Sequence, residues 1–330
     1  MDGERMAEEK LDLDEYIKDL SGRIDDRIDG IIEKYDLPEF LSPIKYAMTG
    51  KTGGKKIRPA LATLMCQALG GKDDTNTLEV SVIVEFLHQG SIVLDDMIDG
   101  DKNRRGQPSM WLVENLGKSS VIGLIMFMAG NKIGTQRVPR VQPMVMETVE
   151  MMAKGNQIDM DGFGMDEKRY MDMIYKKTAY LYGAAAKFGS VMADATDEVL
   201  DKAFNYGRSV GMMFQLTDDL VDILKTKRTG FPVGDMRRGK VTLVMIDMFN
   251  KDKDSQKFLE RYARREMIPE ELTAFFQMEE KTASIKLVEE RINAYISASK
   301  DIVQNFPKNK YTDALFRLPE YMRDSLMKEL

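Results

Sequence analysis

Cysteine and histidine each occur once, and both scarcities narrow the chemistry open to this chain. Cys66 alone can form neither an intrachain disulfide nor a cysteine-rich metal centre. With His88 the only imidazole, histidine-cluster zinc sites are excluded, and any metal is expected to be a hard cation held by oxygen. Positive charge is not in excess either. A formal charge of −6 argues against a nucleic-acid partner, whose binding normally demands a basic footprint. The opening "MDGERMAEEK" lacks the apolar stretch of a signal peptide. The longest uncharged run, "SSVIGLIMFMAGN", is shorter than a bilayer crossing requires. These absences predict a cytoplasmic protein with no membrane span.

What is present is helical periodicity. Hydrophobic residues make up 43% of the 330 residues and charged ones 31%, an ordinary globular balance. Tyr16, Ile17, Leu20, Ile24, Ile28, Ile31, Ile32 and Tyr35 form one apolar stripe, which Pro38 and Pro43 are expected to end. Arg58-Pro59 opens a second helix through "ALATLMCQAL", with Gly70-Gly71 as its stop. "DDTNT" offers caps for a long segment ending near Asp99. No proline falls between Pro143 and Pro232, and three long amphipathic segments fill that interval. The tail stays helical, with breaks expected near Pro269, Pro307 and Pro319. Strand alternation is almost absent and no linker interrupts the composition. The predicted fold is all-α, a single large helical domain over residues 1–330.

The spacing D-D-x-x-D occurs at Asp25/Asp26/Asp29, Asp95/Asp96/Asp99 and Asp218/Asp219/Asp222. On a helix the first and last aspartates share a face, where like charges repel. The first copy is interleaved with Arg23 and Arg27 and reads as a solvated face. The other two adjoin apolar runs, "SIVL" and "GMMFQL", where unpaired carboxylates are costly. They must lie on different helices, and cations are expected to relieve them. Mg²⁺ fits, because it combines a few carboxylates with substrate phosphates. "TGGKKIRP", Arg104, Arg105, Lys177 and Lys240 supply positive charge suited to diphosphates.

The motifs "GGKKIRP", "EFLHQGSIVLDDMIDGDKNRRG", "GNQIDMD", "KKTAYL", "YGRSVGMMFQLTDDLVDI" and "GKVTL" follow one another in this order. In this the chain resembles the trans-isoprenyl diphosphate synthases, or polyprenyl synthetases. The resemblance implies a type I isoprenoid synthase bundle with a central substrate cavity, acting as a homodimer. The implied reaction joins isopentenyl diphosphate head-to-tail to an allylic diphosphate. It implies Asp95, Asp96, Asp99, Asp218 and Asp222 as Mg²⁺ ligands, with Asp219 in support. Lys55, Arg58, His88 and Arg105 would hold isopentenyl diphosphate. Arg104, Lys177, Thr178, Gln215 and Lys240 would serve the allylic partner, with Lys177, Thr178 and Gln215 closest to the chemistry. Without the resemblance, His88 would pass equally for a core histidine. Gly90 and Ser91, with Leu87 and Ile83 on the same stripe, stand where the family sets product length, often with an aromatic ring. Small residues there imply a geranylgeranyl or longer product, unless Gly90 serves close helix packing. Departures occur at Ile125 and Met126, where a Gly-Asp pair is usual, near Phe231, where a lysine is common, and at Leu94, where a histidine is. A class I terpene cyclase would carry a different second metal motif, and a silent regulatory subunit should have lost an aspartate cluster or an arginine.

Overall fold

The computed structural model describes residues 10–33, 38–48, 54–161, 165–252, 262 and 269–330. The chain divides into two compact units, one of residues 1–149, 181–207 and 300–318, the other of 150–180, 208–299 and 319–330. Apart from one short hairpin, the regular structure among the described residues is helical, as the periodicity predicts.

The first unit begins with α1 (Leu13–Ile32), started by the Asp12 side chain, which accepts from the amides of Asp14 and Glu15 at 2.8 and 3.1 Å. Its apolar stripe is buried at Ile17, Leu20, Ile24, Ile28, Ile31 and Ile32, with Tyr16 half-buried and Tyr35 outside the described residues. The acidic face opposite is not uniformly solvated. Asp26 is exposed and Asp29 pairs with Lys45 at 3.2 Å, but Asp25 lies 2.9 Å from the Nζ of Lys56. That lysine side chain is 1% exposed, and a buried ammonium requires a counter-charge. In α2 (Pro38–Met48), Pro43 lies inside the helix and does not end it, since a helix can forgo one backbone bond.

Helix α3 (Ile57–Ala68) leads to α4 (Thr75–Asp99), capped by Asp74 at one end and by Gly100, with φ +67°, at the other. Every residue of α4 from Glu79 to Leu87 is buried, the pattern of a helix enclosed on all sides. Its length and hydropathy would suit a membrane crossing, contrary to what the uncharged runs suggest, yet 72% of its apolar window is buried inside the protein. Helix α5 (Leu116–Arg137) packs along it through small residues. A Cβ at Gly90 would meet the Phe127 ring at 3.1 Å and the Met126 Cβ at 3.2 Å, and one at Gly123 the Gly90 carbonyl at 3.4 Å. Close packing is thus the geometry at Gly90, with Leu87 and Ile83 buried alongside.

Strands β1 (Asn103–Arg104) and β2 (Gln107–Pro108) form a tight antiparallel hairpin after α4. Arg105 and Gly106 both have positive φ, the conformation a two-residue turn demands.

The second unit uses the later part of α6 (Gln142–Met160), then α7 (Glu167–Ile174) and a π-helical turn, Tyr175–Ala179, which runs into α8 (Tyr180–Met192). It also takes α9 (Asp197–Thr229) from Arg208 onward, α10 (Gly234–Arg238) and α11 (Leu243–Lys251). Among the described residues, α12 (Pro269–Thr282), α13 (Ser284–Val303) and α14 (Lys310–Met327) follow. Helix α14 runs through Pro319, where the sequence predicts a break. The Leu315 carbonyl, orphaned by the missing Pro319 N–H, accepts instead from the Tyr206 hydroxyl at 2.6 Å.

Candidate active site

In the first unit, the turn before α3 sets the basic residues. Gly54, with φ +71°, has the Arg105 guanidinium against it, where any Cβ would overlap. Lys55 is exposed and Lys56 turns inward to Asp25. The Arg58 Nη1 lies 3.0 Å from His88 Nε2, and its guanidinium lies over the Tyr182 ring, 4.4 Å from the centroid. Arginine can only donate, so Nε2 is the acceptor and His88 is neutral with its proton on Nδ1. Burial and the cations Arg58, Arg105 and Arg104 push the His88 pKa well down, in keeping with that tautomer. Glu85, one turn earlier on α4, is fully buried, and burial raises its carboxyl against the pull of Lys56 and Arg105.

The first acidic cluster lies at the end of α4. Asp95 and Asp99 are half-buried, whereas Asp96 is 2% exposed and turned inward. Its Oδ1 accepts from Arg104 Nε at 3.0 Å and also from Nη2. Arg104 therefore anchors the cluster through Asp96. The hairpin that carries Arg104 and Arg105 is tied down by Trp111, whose ring N–H donates to the Asp101 carbonyl at 2.7 Å. The Tyr46 hydroxyl donates to the Pro108 carbonyl at 2.6 Å and fixes the hairpin's other side. Ser91 donates to the His88 carbonyl at 2.8 Å, so its hydroxyl proton serves its own helix.

In the second unit, Lys177 and Lys240 both reach Asp159 Oδ2, at 2.7 and 2.8 Å. Burial would raise the Asp159 carboxyl, but the two ammonium groups outweigh it and hold it low. Gly155, one turn before Asp159, lets the backbone of Lys177 cross α6, where a Cβ would overlap. The π-helical turn carries Lys177 and Thr178, and such turns concentrate at functional sites. The Thr178 hydroxyl donates to Gln215 Oε1 at 2.7 Å.

On α9 the second cluster repeats the first. Asp219 is 5% exposed and accepts from Tyr170 at 2.5 Å and from Gln215 at 2.7 Å. Asp222 accepts from the Asp235 amide at 2.8 Å. Asp218 is exposed to solvent yet closely surrounded by protein, and this enclosure, with Asp222 and Asp235 beside it, pushes its carboxyl up to about 7. Among the described residues no three acidic, histidine or cysteine side chains are gathered as a ready-made metal site. The crowding of Asp218, Asp222 and Asp235, which Arg238 offsets in part, is nonetheless what an oxygen-liganded divalent cation would relieve.

Asp25, Asp159, Tyr170 and Asp235 escape the sequence reading as partners of the site. Asp159 lies within the quoted "GNQIDMD"; the other three have no signal, since their partners are distant in sequence.

The polyprenyl synthetase family profile matches residues 38–278. A short chain isoprenyl diphosphate synthase of Methanothermobacter thermautotrophicus is 29% identical over 261 residues, covering 76% of this chain and 79% of that protein. A geranylgeranyl diphosphate synthase of Methanosarcina mazei is 28% identical over 326 residues, 94% of this chain and 98% of its own. The crystal structure of a geranylgeranyl pyrophosphate synthetase from Pyrococcus horikoshii superposes with a TM-score of 0.84 at 25% identity, covering 94% and 98% of the two chains. The all-α fold is the isoprenoid synthase fold, and the chain belongs to the polyprenyl synthetase family of trans-prenyltransferases.

Proposed function

We propose that this protein condenses isopentenyl diphosphate head-to-tail with an allylic diphosphate, yielding an all-trans product of geranylgeranyl length or longer. The observation that carries the reading is the repeated pairing of an aspartate cluster with fixed cations. Arg58, bonded to neutral His88, and Arg105 belong to the unit of one cluster, and Lys177 and Lys240 to the unit of the other. Two such clusters match a reaction with two diphosphate substrates. The product length follows the relatives named for geranylgeranyl diphosphate.

Asp95, Asp99, Asp218 and Asp222 would hold Mg²⁺, with Asp96 and Asp219 as their inward anchors. When bound, the metal supplies charge to the departing diphosphate. Lys55, Arg58 and Arg105 would bind isopentenyl diphosphate, Arg58 being aimed by neutral His88. Lys177 and Lys240, both bonded to Asp159, would bind the allylic diphosphate, and Arg104 would serve the same partner while it holds Asp96. The allylic C–O bond breaks with its electrons on diphosphate. The isopentenyl double bond then attacks the cation, and a proton leaves to form the new double bond. The departing diphosphate is the base, so no further histidine is needed. Thr178 and Gln215 face the cation with oxygen dipoles, which stabilise charge without a strong nucleophile.

The chain would work in the cytoplasm as a homodimer. Val121, Leu124 and Met128, spaced along one face of α5, are 43%, 58% and 70% exposed, an apolar row suited to a second copy. Incubation of the purified protein with Mg²⁺, isopentenyl diphosphate and allylic primers, followed by chain-length analysis, tests the reading. Elongation to twenty carbons or more, on the order of the family's range, supports it. Absence of any condensation, or primer cyclisation, overturns it.

A further inference from the structure

We infer that Asp219 and Tyr170 are positioning residues that fix the direction of the Thr178 hydroxyl, and that Asp219 does not hold metal. This rests on the prenyl-transfer reading above. The chain of hydrogen bonds has one direction. Tyr170, fully enclosed beneath the second cluster, bonds Asp219 Oδ2 at 2.5 Å, and Gln215 Nε2 donates to Oδ1 at 2.7 Å. Both carboxylate oxygens are therefore engaged within the unit. Wherever the proton between Tyr170 and Asp219 sits, Oδ1 remains an acceptor, so Gln215 turns its amide nitrogen to Asp219. Its carbonyl is left for Thr178, which donates to it at 2.7 Å.

Threonine has a single hydroxyl proton, and here it is held by Gln215. What remains on Thr178 Oγ1 is lone pairs. A hydroxyl fixed this way offers a cation the negative end of its dipole and cannot turn its proton toward it. Such preorganised dipoles need no reorientation as charge develops. Were Gln215 free to flip, its amide nitrogen would donate to Thr178 and the hydroxyl proton would swing outward, reversing the field. The placement of Thr178 on the π-helical turn brings it to Gln215 across 37 residues of sequence. Asp218 and Asp222, on either side of Asp219, are exposed and half-buried, whereas Asp219 is 5% exposed.

The test compares Asp219→Leu, Asp219→Asn, Tyr170→Phe and Thr178→Val with Asp218→Ala in the full chain. Binding of inorganic diphosphate with Mg²⁺ is measured by calorimetry, separately from kcat and KM. Asp219→Leu is expected to keep Mg²⁺-dependent diphosphate binding, which Asp218→Ala loses, and to lower kcat on the order of a hundredfold with KM little changed. Asp219→Asn, whose carbonyl can still accept from Gln215, should recover roughly tenfold of that loss, and Tyr170→Phe should lose less than Asp219→Leu. Combining Asp219→Leu with Thr178→Val should cost no more than about twofold beyond the slower single variant, because both act through one hydroxyl. Additive losses, or Asp219→Leu losing diphosphate binding as Asp218→Ala does, would overturn the inference. A wild-type protein that binds Mg²⁺ and diphosphate without condensing substrates would instead sink the prenyl-transfer reading.

Discussion

The Nζ of Lys56 lies 2.9 Å from the Oδ1 of Asp25, so the first D-D-x-x-D copy neutralises a buried cation in the turn that leads to Arg58. Asp25→Ala leaves that ammonium without its counter-charge. Since Asp25 is itself 32% exposed, the expected loss is about 1–3 kcal/mol, below that of a fully buried pair. Asp26→Ala, on the exposed side, should stay within about 0.5 kcal/mol of wild type. Denaturant unfolding of both variants checks the contrast; equal stabilities would mean the ion pair contributes nothing.

Asp95→Ala and Asp218→Ala should each lower the condensation rate by about two orders of magnitude or more, roughly 3 kcal/mol in the barrier. Single-turnover rates at saturating Mg²⁺ measure this. A variant that retains most of its activity removes its aspartate from the metal set.

At Gly90 a Cβ would meet the Phe127 ring at 3.1 Å and the Gly123 carbonyl at 3.3 Å, so a side chain is admitted only if its neighbours give way. Gly90→Phe is expected to destabilise the α4–α5 packing by roughly 1–3 kcal/mol, because a bulky group must push α5 aside. Thermal unfolding is the first measurement and product length the second. A stable variant with a shorter product would show that space exists on the substrate side.

The Asp218 carboxyl, at about 7 in the folded protein, lies far above the ordinary aspartate value it regains on unfolding. Between those two values the folded state holds more protons, so the stability of the metal-free protein falls as pH rises through that window. Unfolding midpoints in chelator from roughly pH 5 to 8 should decline, and the decline should be shallower in Asp218→Asn. Equal slopes would rule out Asp218 as its source.

Leu124→Glu and Met128→Glu place charge on the exposed row of α5. Sedimentation should show a shift toward monomer in either variant, with helicity unchanged. An unaltered dimer would place the interface elsewhere.

Much of the fold was legible because local patterns and tertiary burial agree. The stripe of α1 and the cap at Asp74 are set within a few residues of the helices they mark. Pro319 misled because a proline's effect depends on what replaces the lost bond, and for Leu315 that is Tyr206, 109 residues away. The same holds at the site. Spacing identifies the aspartates but not which turn inward: Asp96 is drawn in by Arg104 and Asp219 by Tyr170. Asp25 was misjudged because its partner is contributed by another helix entrance.

Asp159 has a consequence for tempo. Because its carboxylate already holds Lys177 and Lys240, an anion that recruits those lysines competes with a resident one. On the reading proposed above, this resident carboxylate would damp the affinity of a diphosphate for the two ammonium groups and shorten its residence. A site built this way trades tightness for quick clearance, the more useful property where the same grip must be made and released once for every unit added.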